Sequence, residues 1–158
     1  MLKKIENKHL LLDTNAIINL IKYSEFYVDF FNQLRKYQVK SMIDYAIKFE
    51  FMRGSQTEGD LKIKEAYLDI LFGSNRAELI CTNEIFENAQ EIASIYSRRN
   101  SKFTKQISFS DCLIAAQMKK YNENYPDRLY LGTVDNNDFP LFIFDRISVY
   151  TVDAEKDI

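Results

Sequence analysis

A strand and a helix meet in the stretch His9-Leu10-Leu11-Leu12-Asp13-Thr14-Asn15-Ala16-Ile17-Ile18. The unbroken leucine run is typical of a strand that is buried on both faces of a parallel sheet. From Ala16 onward the apolar residues recur at helical spacing, so Asp13 lies at the junction between the strand and the helix. Because open α/β sheets bind ligands at the carboxyl ends of their strands, this carboxylate stands where a functional site is expected.

Strands and helices alternate along the rest of the chain. Apolar runs predict further strands over residues 39–43, 78–81, 129–133 and 148–152. Helical spacing predicts helices over residues 45–52, 61–71, 85–96 and 111–120, and a break near Ser24 in the first helical segment. Asp44 is placed to cap the helix over residues 45–52, and Gly54 is placed to end it. This alternation indicates an α/β fold with a mostly parallel sheet that is covered on both faces.

The composition is that of one globular domain, which we expect to span residues 1–158. Apolar residues make up 46% of the chain, which excludes the disordered and fibrous classes. No run approaches the roughly 18 apolar residues of a membrane span, and the first residues lack a secretory signal, so we expect a cytoplasmic protein. The cysteines Cys81 and Cys112 are expected to be reduced. Because the formal net charge is -2, a nucleic-acid partner would need a local basic surface or a bound metal.

Five acidic residues lie where a predicted strand or helix meets its neighbour: Asp13, Glu50, Asp111, Asp135 and Asp138. Glu50 provides the strongest physical argument, because at about 100° per residue it lies about 160° around its helix from Lys48. If Lys48 marks the solvent side, Glu50 points inward. A buried carboxylate is costly without a cation, and a bound metal would supply one.

Each of these carboxylates also has a structural explanation that competes with metal binding. Asp135 and Asp138 can be turn residues after a strand. Asp13 can simply cap the helix that follows it. Glu50 can pair with Arg53 in the core. Asp111 can complete a capping box with Ser108, in which the acid reaches back to the amide of the capping residue.

The joint placement of the carboxylates favours a metal site. A parallel arrangement brings the end of the first strand, the start of the helix at Asp111 and the end of the strand at Thr133 to one rim of the sheet. Clustered carboxylates repel one another unless a cation neutralises them, and an all-oxygen set favours Mg²⁺ or Mn²⁺. The single histidine, His9, is interpreted as a strand residue and not as a ligand.

Four sequence blocks together resemble the PIN-domain ribonucleases. They are Leu11-Leu12-Asp13-Thr14-Asn15-Ala16-Ile17-Ile18, Phe49-Glu50-Phe51-Met52-Arg53-Gly54, Ser110-Asp111-Cys112-Leu113-Ile114-Ala115-Ala116 and Thr133-Val134-Asp135-Asn136-Asn137-Asp138-Phe139. The blocks occur in the family's order and span nearly the whole chain. Singly each block is weak, whereas the ordered set is fairly specific.

The resemblance implies a three-layer α/β/α sandwich with a central, mostly parallel sheet, and an acidic pocket that binds Mg²⁺ or Mn²⁺ and cuts RNA. The positions that match the family's acidic quartet are Asp13, Glu50, Asp111 and Asp135. Asp138 matches a further acid, and Asn15 and Thr133 match supporting polar positions. Many family members are toxins of toxin–antitoxin pairs and form dimers, so the resemblance also implies an antitoxin partner and a homodimer.

The resulting hypothesis is a metal-dependent endoribonuclease that hydrolyses phosphodiester bonds. The resemblance further implies products with a 5′-phosphate and a 3′-hydroxyl. Cationic side chains precede Asp111 and are candidates for holding the RNA backbone: Arg98, Arg99, Lys102 and Lys105. Their alternative role is a solvated helix end, because Lys and Arg favour helix C-termini.

Two other functions compete with the nuclease. An aspartyl phosphatase could use Asp13 as its nucleophile, but Asn15 stands where a second acid would be needed. A PIN-like fold could also act as a binding or assembly module without catalysis. The intact acidic set argues against that module, because a scaffold gains nothing from a costly cluster of charges.

Overall fold

Five parallel strands form the sheet at the centre of the computed structural model, which describes residues 2–73, 77–99, 108–126, 128–133 and 149–151. The strands are β1 (His9–Leu12), β2 (Lys40–Ile43), β3 (Ala77–Glu78), β4 (Leu129–Thr133) and β5 (Val149–Thr151). Their order across the sheet is β3-β2-β1-β4-β5, and every neighbouring pair is parallel. All carboxyl ends therefore meet at one edge of the sheet and all amino ends meet at the opposite edge.

Helices connect the strands and cover both faces, which gives the predicted three-layer α/β/α sandwich. They are α1 (Thr14–Lys22), α2 (Ser24–Lys36), α3 (Tyr45–Arg53), α4 (Glu58–Phe72), α5 (Asn83–Arg99) and α6 (Phe109–Asn124). A short 3₁₀ helix, Leu2–Ile5, precedes β1. None of the helices within the described residues is long and apolar enough to cross a membrane.

β1 is the central strand, and its sequence explains that position. Leu10, Leu11 and Leu12 have no accessible surface, as expected for a strand that is covered on both faces. The neighbouring strand β4 approaches closely at Gly132, where a Cβ atom would lie 2.7 Å from the Cδ2 atom of Leu12. A glycine at this position therefore allows β4 to pack against the buried leucines of β1.

α6 is surrounded by protein along half its length. Every residue from Cys112 to Met118 is buried, so this helix has no solvent face in that segment. It contacts α3, α5 and β4. Asp111, at the start of the buried segment, is consequently held on a rigid element.

The predicted elements agree with the structure except at their boundaries. The break in the first helical segment is confirmed at Tyr23, and Asp44 and Gly54 cap α3 as predicted. The helix predicted over residues 61–71 begins earlier, at Glu58, because Thr57 and Asp60 form a capping box that starts α4. The strand predicted over residues 78–81 is the shorter β3, and both cysteines are free as predicted.

Candidate active site

Asp13 lies one residue beyond β1 and connects β1, β4 and α1. Its backbone amide donates to the carbonyl oxygen of Gly132 (3.0 Å), and its Oδ1 atom accepts from the amide of Ala16 (2.6 Å). The helix-cap explanation is therefore correct for one oxygen of this carboxylate. A carboxylate has about four lone-pair sites, so capping does not exhaust its capacity to bind a ligand.

Glu50 is half-buried on α3 and is held next to Asp13 through Thr14. The Thr14 hydroxyl donates to the Oε2 atom of Glu50 over 2.8 Å. Because Thr14 directly follows Asp13, this bond places the Glu50 carboxylate beside the carboxyl end of β1. Thr14 is thus a site residue whose specific partner the sequence did not reveal.

The orientation of α3 differs from the one expected. Lys48 is itself half-buried, and the solvent face carries Tyr45 and Phe49, which are 56% and 67% exposed. The prediction that Glu50 points into the core is wrong, since it lies at the boundary between core and solvent. Lys48 is a poor marker of the solvent side because its long aliphatic stem can lie along apolar surface. Arg53 is exposed, and no ion pair joins it to Glu50 among the described residues.

Asp111 lies in the first turn of α6 and is half-buried. Its amide donates to the Ser108 hydroxyl (3.0 Å), so Ser108 caps the helix, as the structural explanation of this acid requires. Burial, and secondly the charge of Asp111, raises the pKa of the neighbouring Cys112 thiol to about 11, so this cysteine stays protonated.

The remaining predicted site residues differ in how far the structure describes them. Thr133 is buried at the end of β4, one position beyond the Gly132 that pairs with Leu12, and Asn15 is exposed in the first turn of α1. Several predicted residues lie outside the described residues: Asp135, Asp138, Lys102 and Lys105. The side chains of Arg98 and Arg99, the last residues of α5, also lie outside that description.

The described part of the chain holds no group of three or more His, Cys, Asp or Glu side chains arranged to bind a metal ion. The donor chemistry nevertheless fits Mg²⁺ or Mn²⁺. Asp13, Glu50 and Asp111 supply half-buried carboxylates at elements that begin or end near the carboxyl edge of the sheet. Hard oxygen donors of this kind are the ligands that these two cations prefer.

A further acid at this edge, Asp44, was predicted only as a helix cap. It follows β2 and is 1% exposed; its Oδ1 atom accepts from the Ala46 and Ile47 amides (2.6 and 3.4 Å). Among the described residues, its Oδ2 atom and both amide atoms of buried Gln117 make no hydrogen bond of standard geometry, although the Gln117 side chain lies near the Asp44 carboxylate. Burial raises the pKa of Asp44, although the nearby Gln117 side chain and the backbone amides act in the opposite direction. Sequence spacing gave no signal for this burial.

A family model for the PIN domain matches residues 10–146. The chain belongs to the PIN-domain family. The match includes β1, the start of α6, and the segment after β4, so all five carboxylates predicted as ligands lie within the PIN domain. The comparison with curated proteins found no match.

Solved structures confirm the PIN fold. The DNA-bound VapBC structure from Salmonella typhimurium has a TM-score of 0.65 and 16% identity, and the match covers 91% of this chain and 98% of that one. VapBC2 from Rickettsia felis, bound to a promoter DNA fragment, has a TM-score of 0.64, 17% identity and coverages of 90% and 98%. VapBC-1 from nontypeable Haemophilus influenzae has a TM-score of 0.65, 17% identity and coverages of 90% and 97%. At these identities the likeness establishes the fold of the PIN domain alone.

Proposed function

We propose that this PIN-domain chain is a metal-dependent endoribonuclease. The observation that supports this most directly is the Thr14–Glu50 hydrogen bond, which ties the α3 carboxylate to the residue after Asp13. Two acids that are distant in sequence thereby lie at the carboxyl end of the central strand, where α/β sheets bind ligands.

In this proposal Asp13, Glu50, Asp111 and Asp135 hold one or two Mg²⁺ or Mn²⁺ ions, with Asp138 as a further acid. When bound, such ions activate water and neutralise the charge that develops on the phosphate during hydrolysis. The products would carry a 5′-phosphate and a 3′-hydroxyl.

The protein itself supplies position and orientation. The Asp13 carboxylate is fixed by its bond to the Ala16 amide, and Glu50 is fixed by Thr14. Asp111 is carried by the buried helix α6. Asn15 and Thr133 add polar groups beside Asp13, and Arg98, Arg99, Lys102 and Lys105 are proposed to hold the RNA backbone.

We further propose that the protein acts in the cytoplasm as the toxin of a toxin–antitoxin pair and forms a homodimer. The support for the antitoxin partner is that the structural neighbours are VapBC toxin–antitoxin structures, while the homodimer and the cytoplasmic location rest on the sequence expectations. Co-purification of this chain with the product of an adjacent small gene, and loss of growth inhibition when both are expressed, would test the antitoxin. Purification of the chain alone from cells carrying both genes would contradict it.

The nuclease is tested by cleavage of labelled RNA with Mg²⁺, with Mn²⁺ and with EDTA, using wild-type protein and Asp13→Asn. Asparagine is also a good helix cap, so this variant removes the charge and keeps the start of α1. Because even residues that only support metal ligands are worth roughly 10–100-fold, we expect Asp13→Asn to lose on the order of 100-fold or more.

Asp29→Asn is the matched control. Asp29 is an exposed carboxylate on α2 that accepts a hydrogen bond from Gln33 (2.7 Å), and its loss should leave cleavage unchanged. Cleavage that persists in EDTA and in Asp13→Asn would exclude the metal mechanism. Absence of cleavage by wild-type protein on every RNA would exclude the nuclease and leave a nucleic-acid-binding or assembly module.

A further inference from the structure

Exposed cations gather at the amino end of the sheet, opposite the candidate active site. We call this surface the basic end, and it consists of Lys3, Lys4, Arg35, Lys36, Lys40 and Arg128, each of which is exposed. Two exposed acidic residues also lie toward this end: Glu6, which directly follows the 3₁₀ helix, and Glu123, in the last turn of α6. The cations come from distant parts of the sequence and meet because the strands are parallel and begin at the same edge.

Lys40 and Arg128 flank the central strand. Lys40 begins β2 and is paired with His9 in the parallel ladder, and its amide donates to the Lys8 carbonyl oxygen (3.0 Å). The carbonyl oxygen of Arg128, just before β4, accepts from the His9 amide (2.8 Å). Two strand spacings separate the backbones of β2 and β4, which is about 10 Å. The two side chains can therefore engage neighbouring phosphates.

Some of these cations have a local structural role, whereas the described residues show none for the side chains of Lys40 and Arg128. Arg35 and Lys36 lie in the last turn of α2, where positive charge is favourable, and Arg35 lies over the Phe31 ring at 4.5 Å. Lys40 and Arg128 stand at strand starts, where no helix dipole explains them. Neither forms an ion pair with an acid among the described residues.

The single histidine reports the positive potential at this edge. Burial, then the charge of Arg128 and then that of Lys40, lowers the pKa of His9 below its ordinary value. The Nδ1 atom of His9 is hydrogen-bonded to the Tyr121 hydroxyl (2.6 Å), and the residue is half-buried.

An exposed aromatic ring lies beside these cations. Tyr125 is 51% exposed, and its ring packs on Tyr121 with centroids 5.1 Å apart. Since Tyr121 bonds to His9, the Tyr125 ring is close to the start of β1. Cations together with an exposed ring suit nucleic acid, because phosphates pair with the cations and an unstacked base can stack on the ring. An acidic polypeptide would use the cations alone.

We propose that the basic end binds the phosphate backbone of RNA at a surface separate from the cleavage site. This inference rests on the proposed ribonuclease function and specifies its substrate class. Helices cover both faces of the sheet, so one RNA that reaches both ends must run around a helical layer in addition to the roughly 13 Å length of β1. The preferred substrate is therefore a long or structured RNA and not a short oligonucleotide.

The test compares two double variants in the Asp13→Asn background, where binding is measured without cleavage. Lys40→Gln/Arg128→Gln removes two cations of the basic end, and Lys22→Gln/Lys62→Gln removes two exposed cations from α1 and α4. The probe is a fluorescein-labelled RNA of about 30 nucleotides, longer than the roughly 4–16 nucleotides that one small binding fold covers. Circular dichroism verifies that each variant is folded.

We expect the slope of log K against log salt to flatten in Lys40→Gln/Arg128→Gln by about 1.4 for a single strand, or about 1.8 for a duplex. The control double variant should keep the wild-type slope. Equal slopes in both variants would overturn the basic end as an RNA surface. Polyglutamate binding that is lost in Lys40→Gln/Arg128→Gln, while the salt dependence of RNA binding stays that of wild type, would overturn it in favour of an acidic protein segment.

These experiments test the basic end and the proposed nuclease function independently of each other. If wild-type protein cleaves RNA but the slopes are equal, the proposed function stands and the basic end is excluded. If wild-type protein cleaves no RNA but Lys40→Gln/Arg128→Gln alone loses slope, the surface stands and the nuclease is excluded.

Discussion

The two ends of the parallel sheet carry opposite charge. At the carboxyl end, Asp13 and Asp44 directly follow β1 and β2, and Glu50 is tied to this edge by Thr14. At the amino end, Lys40 begins β2 and Arg128 precedes β4. A single topological property explains both, because parallel strands deliver residues that precede them to one edge and residues that follow them to the other.

The ends also differ in how deeply their charges are buried. Asp44 is 1% exposed and Glu50 is half-buried, whereas the residues of the basic end are exposed. A buried carboxylate destabilises the fold unless a cation or a hydrogen bond neutralises it. An exposed cation destabilises the fold little and attracts anionic ligands over a distance. The carboxyl end is accordingly suited to chemistry and the amino end to attraction of a polyanion.

The largest effect is expected from Thr14→Val at the carboxyl end. This substitution removes the hydroxyl that holds Glu50 and keeps the size of the side chain. Thr14 acts here as a positioning residue for Glu50. Loss of such a supporting bond costs roughly 10–100-fold in metal affinity or activity. We expect RNA cleavage to fall by that amount and the Mg²⁺ concentration for half-maximal rate to rise.

Thr14→Ser is the conservative control, since it retains the hydroxyl and should restore most of the activity. A purely structural role for Thr14 would lower the activity of both variants together with their stability and leave the Mg²⁺ dependence unchanged. Wild-type Mg²⁺ dependence in Thr14→Val would therefore remove Thr14 from the site.

A smaller effect is expected from Asp44→Asn, which tests whether the charge at the carboxyl end destabilises the fold. The pKa of Asp44 is raised in the folded protein, so folding favours its protonated carboxyl group. The stability that comes with this protonation is present at low pH and is lost as the pH rises through the folded pKa. Asparagine keeps the cap of α3, and its amide can donate to the buried Oε1 atom of Gln117. We expect a gain on the order of 1 kcal/mol at pH 7 that shrinks toward pH 4, measured by urea unfolding.

Asp60→Asn is a control for which the opposite pH dependence of stability is expected. Asp60 is exposed, and its hydrogen bonds to Thr57 and Gln56 lower the pKa of its carboxyl group. The ionised Asp60 carboxylate therefore stabilises the fold at neutral pH, and this stabilisation is lost as the pH falls. Relative to wild type, Asp60→Asn should be less stable at pH 7 than at pH 4.

Destabilisation of Asp44→Asn at pH 7 would indicate that the Asp44 charge is compensated and supports the site.

The fold was largely predictable because its signals are local. Buried parallel strands read as apolar runs, and β1 and β4 were predicted within one residue of their bounds. Asp13 was recognised because the strand-to-helix junction is itself a sequence feature. The Thr57–Asp60 capping box was missed, although its pattern was present, because Gly59 follows a polar segment that reads as a turn.

The arrangement of the charges was less predictable because it depends on packing. The burial of Asp44 comes from α6, which lies more than sixty residues later and whose central segment is buried on all sides. The basic end was overlooked for the same reason. Lys40 and Arg128 are isolated in sequence, whereas the basic run near residues 98–105 is conspicuous.

The smallest expected effect is a change in the pKa of His9 when RNA binds, and it is observed at the amino end itself. Arg128 and Lys40 keep this pKa low beyond the effect of burial, so phosphates that pair with them should raise it. The titratable group in direct contact with the ring is Tyr121, and burial raises its pKa still further above the pH range of a histidine titration.

The chain has one histidine, so its imidazole signals in NMR spectra need no assignment by mutation. In Asp13→Asn protein saturated with RNA the His9 pKa should rise toward the ordinary value. With Lys40→Gln/Arg128→Gln present as well, the free protein should already have the higher pKa, and RNA should change it little. An unchanged pKa on RNA saturation of the unmodified basic end would mean that RNA binds only at the carboxyl end, which would remove the division of roles between the two ends of the sheet.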